Sequence, residues 1–113
     1  MWARTRQGKY NAKTTVYGGL VYHSKKEAAY AAELDIRLKA KEIKGWKRQV
    51  RIPLEVNGFH IANYYIDFVV TYKDGTIEYV EVKGFETDVW RMKWRLFEAL
   101  YSHMPNVRLT VVK

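Results

Sequence analysis

A single turn decides how the middle of this 113-residue chain can pair with itself. Two strand-like runs, Phe59 to Tyr72 and Thr76 to Lys83, are rich in aromatic and β-branched residues and flank Lys73-Asp74-Gly75. Side chains alternate along a strand, so a slip of one residue moves every group to the other face. A two-residue Asp74-Gly75 loop pairs Lys73 with Thr76 and Asp67 with Val82, leaving Glu81 on the face away from Asp67. A three-residue loop, a type I turn followed by glycine in the left-handed region, pairs Tyr72 with Thr76 instead. Asp67 then stands opposite Glu81, and Tyr65 opposite Lys83. We take the three-residue register, both for its turn chemistry and for the pairing it yields.

Two acids with β-carbons about 5 Å apart destabilise a hairpin unless a cation lies between them. Lys83, two residues beyond Glu81, shares its strand face. Ile66, Phe68 and Val70 on one face, with Tyr65 and Val69 on the other, read as a strand covered on both sides. The plain alternative is that the acids face solvent on a one-sided sheet. In a strand covered on both sides, charges need partners.

The elements around this hairpin follow from local signals. Residues 1–15 are polar and basic and read as an arm, and Val16 to Tyr22 reads as a short hairpin around Gly18-Gly19. Ser24-Lys25-Lys26-Glu27 is a capping-box sequence that opens an alanine-rich helix expected to reach about Lys44, with Gly45 ending it. Trp46 to Val56 reads as a strand in which Pro53 marks an edge or a bulge, and Asn57-Gly58 is a hairpin turn. Thr87 or Asp88 caps a second helix running to about His103, before Pro105, and Val107 to Val112 is a last strand. The order is helix, three strands, helix, strand. Short hairpins join the first three strands, and a helical crossover lets the last lie parallel to its neighbour. The expectation is one α/β domain, residues 1–113, with a mixed central sheet flanked by helices.

On the first helix Glu27, Ala31, Leu34 and Leu38 share a face, so Glu27 ends an apolar stripe expected to meet the sheet. Glu27 can equally close the capping box, and one carboxylate cannot fully serve both roles. On the second helix Val89, Met92, Leu96 and Leu100 form the expected apolar stripe, with Trp90 and Trp94 on its flank as core or dimer contacts. Lys93 falls inside the stripe, either snorkelling from its edge or reaching a phosphate.

Charge narrows the class of partner. Twenty basic residues face twelve acidic ones, a formal charge of +8. Arg4, Arg6, Lys9, Lys13, Lys25 and Lys26 all precede the first acidic residue, Glu27. A second stretch holds Arg37, Lys39, Lys41, Lys44, Lys47, Arg48 and Arg51 against Glu42 alone. Such clusters suit a binder of phosphate backbones. The chain has no cysteine, which removes disulfides, thiolate metal sites and cysteine nucleophiles. His23, His60 and His103 are scattered without zinc spacing, and no Ser/His/Asp set is evident. No apolar run is long enough to span a membrane and no apolar leader opens the chain, so a soluble cytoplasmic protein without organic cofactor is expected.

Glu27 on a helix, Tyr65-Ile66-Asp67 on one strand and Glu81-Val82-Lys83 on the next resemble the PD-(D/E)XK nuclease superfamily. The element order matches the αβββαβ, restriction-endonuclease-like core of that group. Tyr22-His23-Ser24-Lys25-Lys26-Glu27-Ala28 and Val82-Lys83-Gly84-Phe85-Glu86-Thr87-Asp88 look like its small phage-encoded endonucleases, some of which resolve four-way (Holliday) junctions. The proline that often precedes the aspartate is Ile66 here. The resemblance covers nearly the whole chain.

It implies that Asp67, Glu81 and the main-chain carbonyl of Val82 hold Mg²⁺ or Mn²⁺, that Glu27 binds a second ion or a metal-bound water, and that Lys83 orients the attacking water. Branched DNA is the implied substrate, a twofold homodimer the implied assembly and the cytoplasm of a phage host the implied setting. Related chemistry on flaps, single strands or duplex, and a non-catalytic nucleic-acid-binding module, are the alternatives. The basic arm and Lys93 are candidate DNA contacts. Deleting residues 1–13 is expected to weaken binding of a labelled DNA junction at low and moderate salt, and an unchanged affinity removes the arm from the interface.

Overall fold

The computed structural model describes residues 14–113, which form a mixed α/β fold with two helices and a four-stranded mixed sheet. The chain divides into two compact units, Met1–Ala40 and Lys41–Lys113. Arg4, Arg6, Lys9 and Lys13, expected as DNA contacts, lie outside the described residues.

In the first unit, β1 (Thr15–Tyr17) and β2 (Leu20–Tyr22) pair antiparallel across Gly18 and Gly19. Both glycines have positive φ, +60° and +81°, the backbone that matches a two-residue turn to strand twist. The hairpin is tied to helix α1 (Lys25–Lys39) by the Tyr17 hydroxyl, which donates to Asp35 Oδ2 at 2.7 Å. Ser24 caps α1 as its sequence requires, its Oγ accepting from the Glu27 N–H at 3.1 Å. Glu27, Ala28, Ala31 and Leu34 are the helix's buried residues, whereas Leu38, placed on the same stripe, is exposed.

The helix stops short of the expected Lys44. Ala40 caps it, and Lys41 takes a left-handed φ of +63° without a glycine. The sheet explains the early end. Ile43 is buried, and the Lys44 N–H donates to the Thr71 carbonyl at 2.8 Å, so strand pairing already begins at Lys44.

The second unit holds β3 (Gly45–Val56), β4 (Phe59–Thr71), β5 (Ile77–Val82), α2 (Asp88–Tyr101) and β6 (Val107–Val112). The sheet order is β3-β4-β5-β6, antiparallel except for the parallel β5–β6 pair that the α2 crossover allows. Asn57 and Gly58, at φ +52° and +84°, make the β3–β4 turn. Pro53 sits on β3, an edge strand, next to a register shift at Leu54/Glu55, so both readings of that proline hold.

The decisive loop has three residues. The Tyr72 N–H donates to the Thr76 carbonyl at 2.8 Å, the Gly75 N–H to the Tyr72 carbonyl at 3.1 Å, and the Asp74 carboxylate accepts from the Thr76 N–H at 2.9 Å. Gly75 is left-handed at φ +93°. Pairing then runs Thr71–Ile77, Val70–Glu78, Val69–Tyr79 and Phe68–Val80. The paired residues end there, one step short of the position that would set Asp67 opposite Glu81 in this register.

Helix α2 presents a different face from the one expected. Thr87 caps it, and the buried residues are Trp94 and Phe97, with Trp90 and Tyr101 packed beside them. Val89 and Met92 are exposed, and Leu96 and Leu100 only half-buried. The spacing 90, 94, 97, 101 is as helical as 89, 92, 96, 100, and the larger aromatic area wins the core. Phe97 meets Tyr64, Tyr79, Trp94 and Tyr101 in tilted or edge-on ring contacts, over a cluster completed by Ile52, Leu54 and Ile66.

Phe97 is fully buried and Met92 is 71% exposed. Phe97→Ala is therefore expected to cost about 3–5 kcal/mol, and Met92→Ala no more than about 0.5 kcal/mol. Chemical denaturation of both variants checks which stripe carries the core.

Candidate carboxylate site at the open end of the hairpin

Strict alternation fails on β4 at one place. Tyr64 and Ile66 pack into the α2 cluster, and so does Val69, three residues beyond Ile66. In a regular strand 66 and 69 point opposite ways. The expected grouping of Ile66 with Phe68 and Val70 against Tyr65 and Val69 is therefore broken between them, and Tyr65 is exposed rather than covered. The break coincides with Asp67. Its partner by register on β3 is Gln49, and the pairing passes over these two while Arg48–Phe68 and Val50–Ile66 hold on either side. Gln49 has φ +50°. A non-glycine residue in that region costs about 1–3 kcal/mol and persists only where its surroundings impose it.

The β4–β5 ladder also ends here, at Phe68–Val80. Val82 is the next residue of β5 whose N–H faces β4, since the Lys83 N–H donates to Val112 of β6. That N–H donates to Asp67 Oδ2 at 2.9 Å. Gln49 Nε2 donates to Asp67 Oδ1 at 3.1 Å. The aspartate thus holds the two strands where they part, fixed from β3 on one side and β5 on the other. A strand residue's N–H and C=O point to the same edge, so the Val82 carbonyl lies on the Asp67 side as well.

Glu81 is only 4% exposed. Its Oε2 lies 3.5 Å from Lys83 Nζ, and its Oε1 is buried with no hydrogen-bond partner. Burial, and then the negative charge of Asp67, push its pKa from 4.5 to about 7, against the opposing pull of Tyr64 and Lys83. Tyr64, whose hydroxyl accepts from Trp90 Nε1 at 3.0 Å, is pushed well above the ordinary phenol value, mainly by burial and then by the charge of Glu81. Lys83 Nζ stands 4.8 Å over the Trp90 ring, so its cation is held between an indole face and a carboxylate.

A second buried acid on β5 shows what a satisfied carboxylate looks like in this fold. Glu78 accepts from the Tyr72 hydroxyl on one oxygen and from the Thr110 hydroxyl on the other, with Arg108 at 3.9 Å. Glu78 is built into the sheet as structure. Glu81, three residues on, is left with an oxygen to offer.

The structure brings together Asp67, Glu81, Val82 and Lys83 of the expected set. Glu27 belongs to the first unit, where its carboxylate also accepts from the Ser24 hydroxyl at 3.4 Å. Lys25, Lys26 and His23 are exposed. Lys93 is half-buried and donates to the Asn63 carbonyl at 3.3 Å. Gln49 and Tyr64 were not singled out by the sequence, where one reads as a polar position in a mixed strand and the other as an ordinary core aromatic.

Two opposed carboxylates, one with an orphaned buried oxygen, fit a hard divalent cation, and Mg²⁺ characteristically takes one or two carboxylates plus waters and substrate phosphate. Among the described residues no three His, Cys, Asp or Glu side chains gather as a metal site. A model of the family described as "Protein of unknown function (DUF1064)" matches residues 7–113. No curated protein and no solved structure gives a match.

A carboxyl whose folded pKa lies above its unfolded value stabilises the fold below the unfolded pKa and ceases to as pH rises through the folded one. For Glu81 that window runs from 4.5 to about 7. In EDTA, Glu81→Gln is expected to gain stability over the parent by about 2–3 kcal/mol more at pH 8 than at pH 5. Thermal melts of both proteins at the two pH values check this, and an equal gap at both contradicts it.

Proposed function

We propose that this chain, which belongs to the DUF1064 family, is a metal-dependent DNA endonuclease that resolves four-way junctions by phosphodiester hydrolysis. The observation that carries this reading is the buried Asp67–Glu81 pair, with an unsatisfied Glu81 oxygen and Lys83 beside it. The fold supports it in proportion: helix, three antiparallel strands, helix and a parallel strand is the order of a restriction-endonuclease-like core.

In this reading Asp67, Glu81 and the Val82 carbonyl hold Mg²⁺ or Mn²⁺. The bound ion supplies a hydroxide-like nucleophile at neutral pH and neutralises the phosphate charge. Asp67 is oriented by two donors, the Gln49 amide and the Val82 N–H. Glu81 is deprotonated most readily when a cation is present, since burial and Asp67 disfavour its charge alone. Lys83 presents a point charge to the phosphate from a position fixed by Trp90 and Glu81. Glu27, as a further ligand, enters on the superfamily resemblance alone.

The +8 charge supplies affinity for the DNA backbone, with the basic arm, Lys25 and Lys26 as contacts. Two symmetric cuts call for two sites, hence a twofold homodimer. No helix among the described residues is long and apolar enough to cross a membrane, and we place the enzyme in the cytoplasm with its DNA.

The test is cleavage of a labelled four-way junction, a flap and a linear duplex in Mg²⁺, Mn²⁺ or EDTA. Paired symmetric cuts in the junction that require the metal are expected. Asp67→Asn and Glu81→Gln are expected to lower the rate by at least about 100-fold, since loss of mere outer partners of a metal ligand already costs 10–100-fold. Both variants should keep their junction affinity. Metal-independent binding without cutting of any substrate means a binding module instead, and full activity in either variant refutes the assignment.

A further inference from the structure

Among the described residues bonded to the carboxylates, Gln49 has a backbone conformation that packing does not explain. It lies inside β3, with Arg48 and Val50 regularly paired on either side of it, so no inserted residue forces a bulge. Its φ of +50° is unfavourable for a long side chain without the local bonding that lets asparagine or aspartate adopt it. The residue is exposed and fills no part of the core. What the conformation accomplishes is a single directed bond: the carboxamide Nε2 reaches Asp67 Oδ1 at 3.1 Å. At the same level β4 changes which of its residues face α2. The strained residue and the reoriented aspartate are therefore the two halves of one irregularity.

We propose that Gln49 is a positioning residue for Asp67: its left-handed backbone aims the carboxamide at the aspartate and fixes the carboxylate in the orientation that takes a divalent cation. This rests on the nuclease reading of the Asp67–Glu81 pair and adds the group that sets its geometry. The amide donor occupies one oxygen of Asp67 while Val82 N–H occupies the other, so the carboxylate can rotate no further. Each oxygen keeps a lone pair for a metal. A donor without charge is suited to this task, because it orients the carboxylate without neutralising it as lysine or arginine does. Folding stability is given up at position 49 for order at position 67.

Gln49→Gly separates the two effects, since glycine adopts the backbone freely and has no amide to donate. Gln49→Glu keeps the length and replaces the donor by a second acid. Mn²⁺ binding to the intact protein, measured by calorimetry or by the free-ion electron spin signal, gives a readout apart from catalysis, and thermal melts in EDTA report the fold. We expect Gln49→Gly to melt at or above the wild-type temperature while binding Mn²⁺ about tenfold or more weakly, with the half-activating metal concentration raised alongside. Gln49→Glu is expected to weaken junction cleavage at low metal and to recover part of it as Mn²⁺ is raised. Wild-type Mn²⁺ affinity in a well-folded Gln49→Gly overturns this inference alone, provided that Asp67→Asn has lost binding. A lower melting temperature for Gln49→Gly also overturns it, because Gln49 then serves the fold. Absence of Mn²⁺ binding by the wild-type protein overturns the nuclease reading and this inference with it.

Discussion

Asp67 and Glu81 come together where β4 and β5 part, and the charge of Asp67 adds to burial in raising the Glu81 pKa. Neither acid is exposed enough for water to screen the other, so each takes what help the fold gives. Asp67 draws on the Gln49 amide and the Val82 N–H. Glu81 has Lys83 beside Oε2 and the pull of the Tyr64 hydroxyl, while its Oε1 makes no hydrogen bond in this geometry. The ladder yields to these demands: the Val82 N–H that could continue the backbone pairing goes to the Asp67 side chain. A sheet that gives up hydrogen bonding at one end gains an opening in which polar groups converge.

The comparison of Glu78 with Glu81 sharpens the point. Both are buried and both lie on β5. Hydroxyls from β6 and from the β4 end close both oxygens of Glu78, which accounts for its burial without any ligand. Burial of a carboxylate is thus not in itself a sign of a site in this protein. The informative quantity is the number of acceptor positions left over once the fold has used what it needs.

Much of the architecture was legible in short-range chemistry. Gly75 suited a three-residue loop, although a two-residue Asp74-Gly75 loop also stood open, and Asn57-Gly58 marked a two-residue turn and Ser24 a helix start, because each answers to a local backbone requirement. The register beyond that loop was chosen partly on the turn and partly on the acid pairing it produces. What the sequence concealed was decided by competition between distant groups. The end of α1 was set by the burial of Ile43 and the claim of the sheet on Lys44, and no glycine announced Lys41 as left-handed. Two helical stripes of α2 had equal periodicity, and only their partners on the sheet, Tyr64 and Tyr79, chose the aromatic one. Gln49 carried no signal at all, since its backbone departs from what its residue type prefers. The candidate acids were legible as a motif, but the Gln49 amide that bonds to Asp67 was not.

Strand β3 is an edge of the sheet, and it is poorly suited to recruit another strand. Pro53 removes one donor from its backbone, and the irregularities at Gln49 and at Leu54/Glu55 interrupt the even spacing that a docking strand needs. Lys47, Arg48 and Arg51 crowd its basic half, so two copies approaching through this edge meet like charge as well as broken pairing. The irregularity at Gln49 that brings an amide to Asp67 therefore also makes this edge a poor template for a further strand.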